Sequence, residues 1–105
     1  MAEWTRLAHI AEVLPGERMT AWVDDLPILL VNIDGDYFAV EDKCTHEDFE
    51  LSAGPVDAGT ASIECVLHGA RFDLKTGEAL CAPAYTPVRA FPLKVEDDYL
   101  WADIS

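Results

Sequence analysis

The sequence predicts an all-β protein built from antiparallel hairpins. Apolar and polar residues alternate along Val88–Glu96 and again along Tyr99–Ile104, and this period of two is typical of strands. The pair Asp34-Gly35 stands between two apolar runs and favours a tight hairpin turn, because both residue types tolerate positive φ. No stretch of ten residues shows a convincing helical period.

The strands can be assigned in chain order from the turn residues between them. Trp4–His9 opens the chain, and the turn Leu14–Glu17 leads to a second strand, Arg18–Val23, which Asp24, Asp25 and Pro27 close. Residues 51–60 hold two turn clusters with little regular structure between them. The remaining strands are predicted at Ile28–Ile33, Tyr37–Glu41, Ala61–Glu64, Arg71–Leu74, Glu78–Leu80, Val88–Glu96 and Tyr99–Ile104. Pro92 has no N–H to donate, so it should lie at an edge or a bulge.

Length and composition indicate one domain, residues 1–105, large enough to bury a single core. No apolar run approaches the roughly 20 residues of a membrane helix, and Met1-Ala2-Glu3-Trp4 lacks the basic start of a secretory signal. Three cysteines cannot all pair with one another, which suits a reducing compartment. We therefore expect a soluble, monomeric protein of the cytoplasm without a membrane partner.

The chain is strongly acidic. Twenty acidic residues against seven basic ones give a formal net charge of −13, which opposes binding to nucleic acid or to an anionic membrane. Two interpretations remain open. The charge either attracts a basic protein partner or only keeps the chain soluble, and the salt dependence of association separates the two.

Two short pairs of metal-ligand residues are the most informative feature. Cys44-Thr45-His46 and Cys65-Val66-Leu67-His68 lie eighteen residues apart, so two separate loops could hold one inorganic centre. Zinc accepts two thiolates and two imidazoles, but zinc fingers keep two Cys on one side and two His on the other. Here each pair supplies one of each, which favours a binuclear centre with both thiolates on one iron and both imidazoles on the second.

The residues after the second pair extend the pattern. Arg71–Gly77 reads R-F-D-x-x-T-G, and Pro83 follows in a Cys-Ala-Pro-Ala-Tyr segment. With C-T-H and C-x-x-H-G in the same order, the chain resembles the Rieske family, specifically the small Rieske-type ferredoxins, most strongly from Tyr37 to Leu93. The resemblance implies a Rieske-like antiparallel β-sandwich. A small cluster-binding subdomain, about residues 43–83, would consist of two ligand loops and a proline loop.

The resemblance also implies the cofactor and its ligands. One Rieske [2Fe-2S] cluster per chain would be bound by Cys44 and Cys65 on one iron and by His46 and His68, through Nδ1, on the other. No fifth ligand is needed, so Cys81 is interpreted as a small buried hydrophobic residue. His9, the third histidine, is interpreted as an ordinary surface or strand residue.

Two departures from the high-potential members of the superfamily bear on the cluster. Phe49 and Leu67 stand where those relatives have a second pair of cysteines that bridges the two loops. Ala70 and Phe72 replace a Ser and a Tyr whose hydroxyls donate to cluster sulfurs. Without those donors, we expect a reduction potential near the lower end of the Rieske range of about −150 to +300 mV, which a redox titration measures.

The function implied is electron transport rather than catalysis, with no catalytic residues. A one-electron carrier of this type passes electrons from an NAD(P)H-dependent, flavin-containing ferredoxin reductase to a terminal Rieske non-haem iron oxygenase in aromatic hydrocarbon catabolism. Two alternatives stay open. One is the small Rieske-like subunit of a nitrite reductase, and the other is a zinc-stabilised interaction module without a redox role.

Overall fold

The computed structural model describes residues 3–43, 50–66, 69–81 and 86–105. Within these ranges the chain forms strands and two short 3-10 helices, Ile10–Glu12 and Leu51–Ala53, and it has no α-helix. In the same ranges, no helix has the length and hydropathy of a membrane span. The strands are β1 Trp4–His9, β2 Arg18–Val23, β3 Leu26–Ile33, β4 Asp36–Glu41, β5 Val56–Asp57, β6 Ser62–Glu64, β7 Arg71–Asp73, β8 Ala79–Cys81, β9 Leu93–Glu96 and β10 Tyr99–Asp103.

The strands form three antiparallel sheets. The first sheet has the order β1-β10-β9, the second β2-β3-β4 and the third β5-β6-β7-β8. Every pair of neighbours within these sheets is antiparallel. The all-β prediction is therefore confirmed.

Strand β3 lies at the centre of the second sheet and is buried on both faces. Successive side chains of a strand point to opposite faces. Leu30 accordingly belongs to a core cluster with Leu100 of the first sheet, whereas Leu29 belongs to a second core cluster with Phe72 of the third sheet. The second sheet is thus the middle layer, and it separates two cores.

The turn between β3 and β4 has the conformation that its sequence predicts. Asp34 and Gly35 have φ values of 51° and 95°. The buried side chain of Asn32 accepts a hydrogen bond from the Gly35 N–H at 2.8 Å and donates one to the Val13 carbonyl at 2.8 Å. The hairpin prediction is confirmed, and Asn32 holds the turn to the residue that follows the first 3-10 helix.

The prediction for Pro27 was wrong. Pro27 lies inside β3, opposite Trp22 of β2, and does not close the preceding strand. On the other side of β3, the last ladder pair with β4 is Ile28 with Glu41. Pro27 is therefore past the end of that ladder, where its carbonyl accepts from the Asp42 N–H at 3.0 Å and its missing N–H costs little.

The strand predicted over Val88–Glu96 was also wrong in its first half. The strand β9 begins only at Leu93. Within residues 86–92, Ala90 forms an isolated antiparallel bridge with Val40 of β4. Pro92 has no N–H and cannot donate a hydrogen bond to a neighbouring strand. Alternation of side chains predicted a strand here, but this segment has one bridge and no continuous partner.

Candidate metal centre

Of the four predicted ligands, the structure describes Cys65. Its side chain is 1% exposed and belongs to the core cluster shared by the second and third sheets. The ligands Cys44, His46 and His68 lie outside the described residues, as does Pro83. The geometry of the site is therefore described from the residues that flank three segments. They are the first ligand segment (44–49), the second ligand segment (65–68) and the proline segment (82–85).

The residues on either side of the second ligand pair are joined by two main-chain hydrogen bonds. The Cys65 N–H donates to the Ala70 carbonyl at 2.7 Å, and the Gly69 N–H donates to the Cys65 carbonyl at 3.0 Å. Strands β6 and β7, which flank this connection, pair directly with each other. The backbone at Cys65 is therefore fixed by its neighbours in sequence.

The chain that leaves the first ligand segment packs against the strand that enters Cys65. The Glu64 N–H donates to the Pro55 carbonyl at 3.0 Å. At Gly54 the two backbones approach so closely that a Cβ would lie 1.6 Å from the Glu64 carbonyl oxygen. Only glycine fits at this crossing. The exit of the first ligand segment is thereby held next to the entry of the second.

The proline segment is joined to both ligand segments through the residues that flank it. Cys81, which precedes it, pairs with Arg71, and its Sγ donates to the Gly69 carbonyl at 3.4 Å. After it, the Arg89 carbonyl accepts from the Glu41 N–H at 2.8 Å, and Lys43 lines one groove with Arg89. The described ends of all three segments therefore meet at the same end of the molecule.

The turn between β7 and β8 contains a second close backbone contact. The Val88 N–H donates to the Gly77 carbonyl at 2.8 Å. A Cβ at Gly77, whose φ is +81°, would lie 2.0 Å from the Val88 carbonyl oxygen. This explains the glycine that ends the R-F-D-x-x-T-G motif, because the turn after β7 supports the chain that returns from the proline segment.

The surroundings of Cys65 are apolar. Ala70 and Phe72 are both fully buried in the core cluster of Cys65, and neither side chain has a hydroxyl to donate. Glu64, the residue before Cys65, forms a partly exposed ion pair with Arg71 at 3.2 Å, and such pairs contribute little to stability. The low reduction potential stays a prediction, and the absence of a hydroxyl on Ala70 and Phe72 agrees with it.

The structure also describes the third cysteine and the third histidine of the chain, Cys81 and His9. Cys81 is exposed, so its interpretation as a buried hydrophobic residue was wrong. His9 ends β1, and its Nδ1 accepts from the Ala11 N–H at 3.0 Å, which confirms its interpretation as an ordinary strand residue. Among the residues that the structure describes, no group of three or more His, Cys, Asp and Glu side chains is placed to hold a metal ion.

Sequence reasoning missed Gly54 as a determinant of the site. The Gly54-Pro55 pair is a turn signal, and the sequence offers no sign that the Glu64 carbonyl lies against it. A contact with a residue ten positions away is a property of the fold. No local pattern could have identified it.

We expect Gly54→Ala to destabilise the folded protein, because its Cβ would overlap a backbone oxygen that cannot rotate away. Overpacking of this kind typically costs about 1–3 kcal/mol, measured as the free energy of unfolding. Gly59→Ala is the matched control, since the nearest atom to its Cβ would be a side-chain oxygen of Asp57 at 3.3 Å. Equal stability of the two variants would contradict the close contact.

Comparison with known proteins adds to this geometry. Residues 3–92 match the family described as the Rieske [2Fe-2S] domain. The chain is 36% identical over 101 residues to the ferredoxin component of biphenyl 2,3-dioxygenase from Rhodococcus jostii (strain RHA1), covering 96% of this chain and 92% of that protein.

Solved structures agree with the sequence relatives. The ferredoxin of carbazole 1,9a-dioxygenase from Nocardioides aromaticivorans IC177 superposes with a TM-score of 0.91 at 28% identity, covering 99% of this chain and all of the other. A second match, with a TM-score of 0.84 at 27% identity, is a complex of reduced oxygenase and oxidized ferredoxin in carbazole 1,9a-dioxygenase, covering 95% of this chain and 92% of that one.

Proposed function

Because this chain belongs to the Rieske [2Fe-2S] domain family, we propose that it is the ferredoxin component of a ring-hydroxylating dioxygenase system. The observation that carries the proposal is the similarity to the ferredoxin component of biphenyl 2,3-dioxygenase along nearly the whole of both chains. The relatives are electron carriers and not catalysts, so this chain needs no catalytic residues. The family match also favours iron and sulfide over the zinc alternative.

We propose the cluster ligands that the sequence predicts, Cys44 and Cys65 on one iron and His46 and His68 on the other. Three observations support this set. Cys65 is buried, the chain around it is fixed by main-chain bonds, and the described ends of the segments that hold the other ligands converge on the same end of the molecule. The cluster-binding subdomain would then span about residues 43–83 of a single domain, 1–105.

When bound, the [2Fe-2S] cluster accepts and releases one electron. The protein's part is to hold the ligands and to shield the thiolate side from water. The apolar packing around Cys65 supports that arrangement, since Leu51, Phe72 and Val88 are buried in the same cluster.

The partners are proposed from the same family relationship. The terminal oxygenase is the acceptor, which the complex of ferredoxin and oxygenase in a similar structure supports. A flavin-containing ferredoxin reductase that oxidises NAD(P)H is the proposed donor. We place the carrier in the cytoplasm, where a reducing environment keeps the exposed Cys81 as a free thiol.

Reconstitution of turnover tests the proposal. The purified carrier should be red-brown, with two irons and two labile sulfides per chain, and should restore oxygenation of an aromatic substrate when added to a reductase and a terminal oxygenase. The control reaction omits the carrier and should give no product. A colourless, zinc-containing protein would overturn the cofactor, and co-purification with a large sirohaem subunit would favour the nitrite reductase alternative.

A further inference from the structure

Asp42 is a buried carboxylate two residues before the proposed ligand Cys44. Its side chain is 3% exposed, and it directly follows β4. Both carboxylate oxygens accept a hydrogen bond. Oδ2 accepts from the Thr20 hydroxyl at 2.7 Å, and Oδ1 accepts from the Ser52 N–H at 2.7 Å.

These two bonds connect three parts of the fold. Ser52 lies in the 3-10 helix that follows the first ligand segment, whereas Asp42 precedes that segment. The bond between them therefore joins its two ends. Thr20 lies in β2, so the second bond ties the joined ends to the middle sheet. The Asp42 N–H adds a bond to the Pro27 carbonyl of β3 at 3.0 Å.

A buried carboxylate is costly to desolvate unless its oxygens are satisfied. An apolar residue of similar size would often fill a core position at least as well. The benefit of an aspartate here is geometric, because hydrogen bonds to a carboxylate are short and directional. Only a polar acceptor can link the Ser52 backbone to Thr20 across this position.

We infer that Asp42 is a positioning residue for the first ligand pair. Its bond to Ser52 joins the two ends of the segment that contains Cys44 and His46, and this would hold the proposed ligands in position. The inference rests on the proposed ligand set. It predicts that breaking the Asp42 bonds releases the centre from a protein that is still folded.

The test compares Asp42→Ala with Asp42→Asn in the loaded protein. Alanine removes both bonds, whereas asparagine keeps an oxygen for the Ser52 N–H and offers an N–H to the Thr20 oxygen. We expect the rate of cluster loss to a chelator, followed by visible absorption at a temperature where the chain is folded, to rise about 10- to 100-fold in Asp42→Ala. The Asn variant should stay close to the unmodified protein, and hydrogen exchange at the Ser52 amide should follow the same order.

The chain offers a matched control at the other end of β3. Asn32 is also buried, at 2% exposure, and its side chain makes two hydrogen bonds to the backbone. Asn32 lies five residues, or about 16 Å along the strand, from Pro27, the β3 residue whose carbonyl accepts from the Asp42 N–H. Asn32→Ala should lower the unfolding temperature without changing the rate of cluster loss. A comparable acceleration in Asn32→Ala would show that Asp42 acts only through overall stability, and would overturn the inference.

The remaining outcomes are also decisive. If Asp42→Ala does not fold, Thr20→Val removes one of the two bonds, and faster cluster loss in that variant would support the inference. Cluster loss at the unmodified rate in every foldable variant would refute it while leaving the proposed function intact, because the assay needs neither reductase nor oxygenase. An unmodified protein that binds no cluster would refute both.

Discussion

Replacing His46 or His68 with alanine should remove the cluster from the purified protein. In the proposed ligand set, the second iron would keep a single protein ligand, so the cluster should be lost or badly destabilised. Iron and sulfide content, visible absorption and the electron paramagnetic resonance spectrum of the reduced protein measure the result. A normal Rieske spectrum in either variant would contradict the ligand set.

The third histidine and the third cysteine provide controls for this experiment. His9→Ala removes a ring that caps the first 3-10 helix, so some stability should be lost while the cluster remains. Cys81→Ser should also keep the cluster, since a hydroxyl can donate to the Gly69 carbonyl as the thiol does. If Cys81→Ser folds but lacks the visible spectrum, Cys81 belongs to the ligand set after all.

The second large effect is expected in electron transfer to and from the partners. A carrier must dissociate in each cycle, so fast and weak association suits it. Electrostatic steering raises association rates by about 10- to 10³-fold and falls steeply with ionic strength. With a net charge of −13, the chain should present an acidic surface to a basic partner. Reduction by the reductase should therefore slow strongly between low and moderate salt.

Charge reversal next to the proposed ligands tests where that surface lies. Glu47 and Asp48 follow His46 in sequence but lie outside the described residues, whereas Glu50 is described and exposed. Glu50→Lys, and the pair Glu47→Lys with Asp48→Lys, should slow reduction at low salt and leave the potential nearly unchanged. Asp36→Lys is the control for Glu50→Lys, because Asp36 is equally an exposed acid but begins β4 at the end away from the ligands.

Two results would exclude this docking surface. If rates do not respond to salt or to the reversals near His46, the acidity serves solubility, and recognition rests on apolar contacts. If Asp36→Lys slows reduction as much as Glu50→Lys, the overall charge matters and the first ligand segment has no special part. Stopped-flow measurements at several salt concentrations distinguish these outcomes.

The sequence predicted the parts of the fold whose causes are local. The strands Trp4–His9 and Arg18–Val23 have the predicted bounds, and the Asp34-Gly35 turn has the predicted conformation. Pro27 was misjudged because its tolerance in β3 depends on where β4 ends. Alternation after Val88 likewise predicted a strand without showing whether a partner is present.

The same division holds for the candidate centre. The residue types of the two ligand pairs and their flanks were enough to predict the family and the cofactor. The support around the centre was not predictable in this way. A glycine is required at position 54 because the Glu64 carbonyl lies against it. The role inferred for Asp42 depends on its hydrogen bonds with Thr20 and Ser52. These residues are distant in sequence, and only folding brings them together.

The position of β3 has a consequence for how the protein melts. Leu29 and Leu30 are adjacent in the chain but belong to different cores, so loss of the strand between them would open both cores at once. The cluster side and the far sheet should therefore unfold as one cooperative unit. Substitutions that stabilise the sheet of β1, β9 and β10 should then lengthen the lifetime of the cluster at high temperature, although that sheet contributes none of its ligands.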